Sequence, residues 1–284
     1  MKLVTYLYEG RETVGLLTAD GAAVHPLPFA DMNALIEAPR ARLDEAAQAA
    51  GAALPLSAVT LLAPIPRPRQ DVICLGINYK AHAAESTRYD AGAFGGERPV
   101  PIYFSKRVTE AVGPEGFIES HPGLVERLDY EAELAVVIGR TARNVRAADA
   151  ADHIFGYTIL NDVSARLLQT THKQWYFGKS LDGFTPIGPC ITTADEIAFP
   201  PALAISSRVN GELRQNSTTD LLITGIADII QELSSGMTLL PGTIIATGTP
   251  AGVGMGFDPP KFLKPGDVVA CTIENIGTLQ NTVR

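Results

Sequence analysis

The segment Leu128 to Gly139, LDYEAELAVVIG, constrains the fold more than any other stretch of the chain. It alternates as a strand does, with Leu128, Tyr130, Ala132, Leu134, Val136 and Ile138 on one face and Asp129, Glu131, Glu133, Ala135 and Val137 on the other. The second face is acidic at one end and apolar at the other, so the strand runs from a polar site into a core covered on both sides. Glu131 and Glu133 project the same way, with Cα atoms roughly 6.5 to 7 Å apart at two residues of strand rise. Carboxylates that close and heading inward repel one another unless a cation or proton lies between them, and a hard divalent ion is the simplest remedy. The competing reading is a solvated edge strand with its charges in water.

Twenty-six glycines and 20 prolines punctuate the 284 residues too often for a helical bundle and favour a β-rich, mixed α+β architecture with tight turns. Residues 1 to 27 read as a small meander turning at Glu9-Gly10 and Asp20-Gly21. A helix follows over RARLDEAAQAAGA, ending near Gly51. In LLAPIPRPRQ, Pro64, Pro66 and Pro68 impose an extended connector. The boundary expected there divides a small N-terminal domain, 1–69, from a catalytic domain, 70–284, with helices at 162 to 175 and 220 to 235.

A formal net charge of −8 makes nucleic acid and anionic membrane poor partners, so an anionic substrate must be met by a local positive centre. Cys74, Cys190 and Cys271 are far apart and lack zinc or CxxC spacing, which suits small core residues in a reducing compartment. No apolar run approaches the roughly 18 residues needed to span a bilayer, and the expected location is cytoplasmic.

Further acids and bases extend the candidate site. Asp162 follows the apolar strand FGYTIL and is placed to cap a helix on which Asp162, Arg166 and Gln169 fall at i, i+4 and i+7. It is either a third oxygen ligand, suiting Mg²⁺ or Mn²⁺, or an ordinary cap with an arginine partner. In VICLGINYKAHAAE, His82 and Glu85 are neighbours on a helical turn, the pair a general base needs or a plain surface contact. Residues 86 to 98, STRYDAGAFGGER, are either a mobile lid beside that base or a surface loop. Lys106 after PIYFS and Lys179 after WYFG lie among aromatics, where a lysine binds a carboxylate or oxyanion or else snorkels to water. Thr249 lies in the turn ATGTPAGVGMG, whose amides are free to hold a substrate oxygen. His25, His121, His153 and His172 have no evident partner and read as surface residues. GxSxG, HExxH and nucleotide-loop patterns are absent.

Taken in order, GINYKAHAAE, IYFSK, DYEAELAVVIGR, NDVSAR, WYFGKSLDGFTPIGP, VNGELRQ and ATGTPAGVG resemble the fumarylacetoacetate hydrolase family over about 70 to 284. The resemblance implies a rolled, mixed β-sheet catalytic domain that usually forms a homodimer. It also implies Glu131, Glu133 and Asp162 as ligands of Mg²⁺ or Mn²⁺, His82 with Glu85 as catalytic dyad, and Lys179 as substrate and oxyanion contact. Arg166, Gln169 and Thr249 match pocket positions. Leu167 stands where many members have an acid, and is expected to affect packing or the dimer. Leu75 stands where the long fumarylacetoacetases have an extra aspartate ligand, which places the chain with shorter bacterial-type members.

The expected activity is hydrolysis of a carbon–carbon bond in a small anionic 2,4-diketo acid, with His82 activating water and Lys179 steadying the developing charge. The same groups support decarboxylation of a 2-oxo acid such as oxaloacetate, or keto–enol tautomerisation. A binding protein that has lost catalysis is the third reading.

Overall fold

The computed structural model describes residues 1–96 and 100–284. Its architecture is mixed and sheet-rich, and the acidic strand forms its centre. Ala132–Ile138 lies between Ile154–Asn161 and Ile244–Ala246 in an 11-stranded sheet. All seven of its residues are buried, which excludes the edge-strand reading. Leu134, Val136 and Ile138 enter one apolar core with Ile205, Cys271 and Leu279 of a second, five-stranded sheet. Ala135 and Val137 enter another with Met32, Leu35 and Leu43 of two N-terminal helices. A strand apolar on both faces has no solvated side to offer, so both are covered.

The meander is present as Lys2–Tyr8, Arg11–Leu17 and Ala23–Pro26. Lys2–Tyr8 pairs antiparallel with Ile187–Thr193, so strands from before and after residue 69 share one sheet. On the other flank, Ile244–Ala246 runs parallel to Val72–Gly76. No helix among the described residues is long and apolar enough to cross a membrane.

Two expected helices differ from those observed. In place of a helix over 162 to 175, Ser164–Ala165 pairs with Leu128–Asp129, and Arg166 N–H donates to Arg127 O at 3.0 Å. That pairing delays the helix to Arg166–Thr171, and a separate turn follows at Tyr176–Lys179. Asp162 therefore precedes the helix, and the expected three-residue stripe reduces to Arg166 and Gln169. The helix expected over 220 to 235 is Ile226–Gly236, preceded by a 3-10 turn at Thr219–Leu221; its buried stripe is Ile226, Ile229, Ile230 and Leu233.

The segment 86 to 98, with its two readings as lid or surface loop, is helical over much of its length. Ser86 to Tyr89 complete the helix Lys80–Tyr89, and Asp90 caps Ala91–Phe94 by accepting from Gly92 N and Ala93 N. Phe94 is buried with its ring 5.9 Å from that of Trp175. Glu97 and Arg98, also part of that expectation, lie outside the described residues. All three cysteines are free and buried.

Candidate active site

The sheet brings the acidic strand and the His-Glu helix to one narrow cavity. His82, Glu131, Glu133, Arg166, Gln169, Lys179 and Thr249 line it, against an apolar wall that includes Phe94, Phe104 and Trp175. Glu85, Lys106 and Asp162 stand behind this lining and hold it.

Strand geometry sets the acids. Glu131 lies in the break between Leu128–Asp129 and Ala132–Ile138, its N–H donating to Asn161 Oδ1 at 3.0 Å. Asp162 leaves the end of Ile154–Asn161, the neighbouring antiparallel strand, and its N–H donates to Glu131 O at 2.8 Å. One oxygen from each of Glu131, Glu133 and Asp162 lies within 4.8 Å of the others, and all three residues are buried.

The cations are distributed unevenly. Lys179 Nζ reaches Glu131 Oε2 at 2.8 Å and Asp162 Oδ2 at 2.6 Å, with the Phe104 ring centre 5.2 Å away. Lys106 Nζ donates to Asp162 Oδ1 at 2.6 Å and to Val163 O at 3.1 Å. Arg166 binds Asp129 Oδ2 through Nε at 2.9 Å and Glu131 Oε1 through Nη1 at 2.6 Å. Among the described residues Glu133 pairs with no cation; it accepts from Gly248 N at 2.8 Å. Gly248 makes that contact with φ +100°, and a Cβ there would overlap Asn78.

The titration of these groups follows the same division. Burial penalises the Glu131 carboxylate, but Lys179 and Arg166 outweigh it and hold the group below the ordinary range. Burial pushes Glu133 well above it, and the carboxylates of Asp162 and Glu131 add to the shift. Burial opposes the Lys179 charge, yet Asp162 and Glu131 raise it overall.

A divalent cation fits this donor set. Among the described residues Asp129, Glu131, Glu133 and Asp162 oppose Lys106, Lys179 and Arg166, and the surplus negative charge falls on Glu133, beside two further carboxylates with oxygens close enough to share an ion. An all-oxygen set suits a hard cation such as Mg²⁺ or Mn²⁺.

The base lies across the cavity. Ile77, at φ +56°, an uncommon conformation for a β-branched residue, turns the chain from Val72–Gly76 into the helix Lys80–Tyr89. On it His82 Nδ1 donates to Glu85 Oε2 at 3.0 Å, and Glu85 Oε1 accepts from Gly252 N at 2.9 Å. With Nδ1–H held by a carboxylate, Nε2 is left to accept a proton; Ser86 Oγ is 3.4 Å from it.

Several residues of this site were beyond sequence reasoning. Asp129 lies on the acidic face of the alternating strand, where nothing local marks its partners; it accepts from Tyr130 N, Gly254 N, Met255 N and Arg166 Nε. Gln215, buried beneath Thr249, lay within the VNGELRQ block without distinction. Three of the four remaining histidines meet backbone carbonyls: His25 at Gly51, His121 at Asp182 and His153 at Arg140. Leu167 is exposed and Leu75 buried at the cavity wall.

The mixed, sheet-rich fold thus sets three buried carboxylates able to share a metal ion in one cavity with a His-Glu pair, the arrangement of an enzyme active site. The family model for the fumarylacetoacetate (FAA) hydrolase C-terminal domain matches residues 71–284, and the chain belongs to this family of enzymes. It is similar to oxaloacetate tautomerase YisK of Bacillus subtilis, 47% identical over 231 residues that span 80% of this chain and 74% of that protein. Among solved structures it resembles the fumarylacetoacetate hydrolase EaFAH of Exiguobacterium antarcticum, with TM-score 0.85 and 41% identity over 100% of this chain and 99% of that one. It also resembles a 2-hydroxyhepta-2,4-diene-1,7-dioate isomerase of Mycobacterium marinum, with TM-score 0.78 and 35% identity over 100% of this chain and 98% of that one.

Proposed function

We propose that the protein interconverts the keto and enol forms of a short 2-oxo dicarboxylic acid, with oxaloacetate as the substrate to test first. The observation that carries this reading is the tightness of the cavity, whose free volume of about 10 Å³ is close to that of one water between the polar lining and the wall of Phe94, Phe104 and Trp175. It suits a four-carbon diacid better than a substrate with a long tail. The relative at 47% identity bears the name of that activity.

A divalent cation on Glu131, Glu133 and Asp162 would supply Lewis acidity toward the 2-oxo acid end of the substrate. His82 Nε2 takes the C3 proton of the keto form, and a proton is delivered to the 2-oxygen, so none is gained or lost. Glu85 holds the imidazole tautomer and steadies the imidazolium between the two transfers. The Lys179 ammonium faces the negative charge that grows on the 2-oxygen. Arg166 Nη2, buried and without a hydrogen-bond partner among the described residues, is left to take a substrate carboxylate oxygen.

Carbon–carbon hydrolysis is the second reading. The His82–Glu85 pair that favours it is equally suited to take a proton from water, and the similar EaFAH is named for hydrolysis. Ultraviolet decay of enol-oxaloacetate, alongside cleavage of acetylpyruvate and fumarylpyruvate and release of pyruvate from oxaloacetate, separates the readings. The tautomerase proposal expects catalysed enol decay without pyruvate release. It fails if enol decay keeps its uncatalysed rate while an acylpyruvate is cleaved.

A further inference from the structure

Gln215 lies on the strand Glu212–Thr218 of the second sheet, is fully buried, and does not line the cavity. Its carboxamide uses both ends. Oε1 accepts from Ala132 N at 3.0 Å and from Ser207 Oγ at 2.8 Å. Nε2 donates to Thr249 Oγ1 and to Pro250 O, each at 2.7 Å. Thr249 Oγ1 in turn donates to Ala132 O at 2.9 Å.

The target of this ring is Ala132, the residue between Glu131 and Glu133. Its N–H belongs to the peptide unit leading from Glu131 and its C=O to the unit leading to Glu133. On the Ile154–Asn161 side the ladder continues to Ala132↔Asn161. On the other side strand pairing ends at Ala135↔Ala246, and beyond it Leu134 O accepts from Thr247 N and Thr247 Oγ1. At Ala132 no strand is left to pair, and a buried N–H and C=O without partners are costly. The Gln215 amide and the Thr249 hydroxyl take their place, one end of the amide on the N–H and the other reaching the C=O through the hydroxyl.

We propose that Gln215 is a positioning residue for the acidic centre. Acting with Thr249 as a side-chain substitute for a missing strand, it fixes the two peptide units that set the spacing and direction of the Glu131 and Glu133 carboxylates. It touches neither substrate nor ion. It also joins the second sheet to the 249–250 turn, so the acids are held from three elements rather than one. The inference rests on reading Glu131, Glu133 and Asp162 as the cation site.

Calorimetric titration of Mn²⁺ into the full-length protein tests it, with near-ultraviolet circular dichroism and thermal unfolding as folding controls. Gln215→Met keeps the length and removes all four hydrogen bonds; the expected result is a folded protein with Mn²⁺ affinity weakened about 10- to 100-fold, the range for a lost partner behind metal ligands. Thr249→Val removes the hydroxyl and is expected to weaken affinity as well. The double variant is expected to lose less than the product of the two, because both act through Ala132. A folded Gln215→Met protein of lowered melting temperature but wild-type affinity overturns the proposal, since a purely structural residue behaves that way. If Gln215→Met does not fold, Thr249→Val decides: weaker Mn²⁺ binding supports the clamp, and unchanged binding overturns it. A wild-type protein that binds no Mn²⁺ removes the cation site itself and the clamp with it.

Discussion

The side chain of Glu85 occupies the space a side chain on Gly256 would need: a Cβ built there overlaps its Oε1, Cδ and Cγ. Glu85 is also fixed by Gly252 N and by His82 Nδ1, so it has little room to retreat. Gly256→Ala is therefore expected to displace the carboxylate from the imidazole and lower kcat about 100-fold, within the range for a general base. Mn²⁺ affinity should stay nearly unchanged, because the nearest atoms the new Cβ meets are those of Glu85 and not of the three carboxylates of the cation site. Steady-state kinetics with calorimetry on the same preparation check both halves.

His82→Asn should lower kcat by roughly 10² to 10⁴-fold. The imidazole lines the cavity opposite the acids and donates to none of them. Cation affinity should accordingly be nearly unchanged, and a large loss of both would mean that the histidine is a ligand rather than the base.

Glu131 and Glu133 should respond to neutralisation with opposite signs in the metal-free protein. Glu131→Gln removes the partner of Lys179 and Arg166 and leaves buried cations short of a counter-charge, a loss of about 3 kcal/mol. Glu133→Gln removes a buried carboxylate that has no cation of its own while keeping an oxygen for Gly248 N, and should raise the melting temperature. Both should weaken Mn²⁺ binding. Thermal unfolding in EDTA, followed by metal titration, reads the two effects separately.

These partnerships mark where the sequence stops being informative. The period-2 pattern of 128–139 gave the central strand and two of the acids, and the i, i+3 spacing gave the His82–Glu85 contact, because both depend on local backbone geometry. The Asp162–Arg166–Gln169 stripe assumed an unbroken helix, and a two-residue bridge to Leu128–Asp129, distant in sequence, interrupts it. The same distance hid the pairing of Lys106 with Asp162 across 56 residues and of Gln215 with Ala132 across 83. A one-dimensional pattern carries no signal for a partner that tertiary folding selects.

Arg40 holds Asp195 through Nη1 at 3.2 Å and Nη2 at 2.9 Å, tying the N-terminal helix Arg40–Gln48 to the segment after Ile187–Thr193. The guanidinium holds the Asp195 carboxyl well below the usual carboxylate range. Its stabilisation is therefore present above the unfolded value near 3.9 and is lost as pH falls through the lower folded value. Both side chains are about half exposed, which limits the effect to about 0.5 kcal/mol. Urea unfolding should place Asp195→Asn below wild type by that amount at pH 7, with the gap closing in acid.

Burial pushes the thiols of Cys74, Cys190 and Cys271 upward, the last to about 12. A thiol-reactive chromophore at pH 8 should label none of them in the native protein and all three after denaturation. Rapid labelling of the native protein would mean that one of these core positions opens.

The central claim is that Glu131, Glu133 and Asp162 share one divalent ion at the His82 cavity. Anomalous diffraction at the manganese edge from crystals soaked in Mn²⁺ tests it most directly. The account predicts one strong peak in contact with a carboxylate oxygen of each of the three residues, lost in Glu133→Gln crystals. A peak elsewhere, or none at these carboxylates, would contradict it.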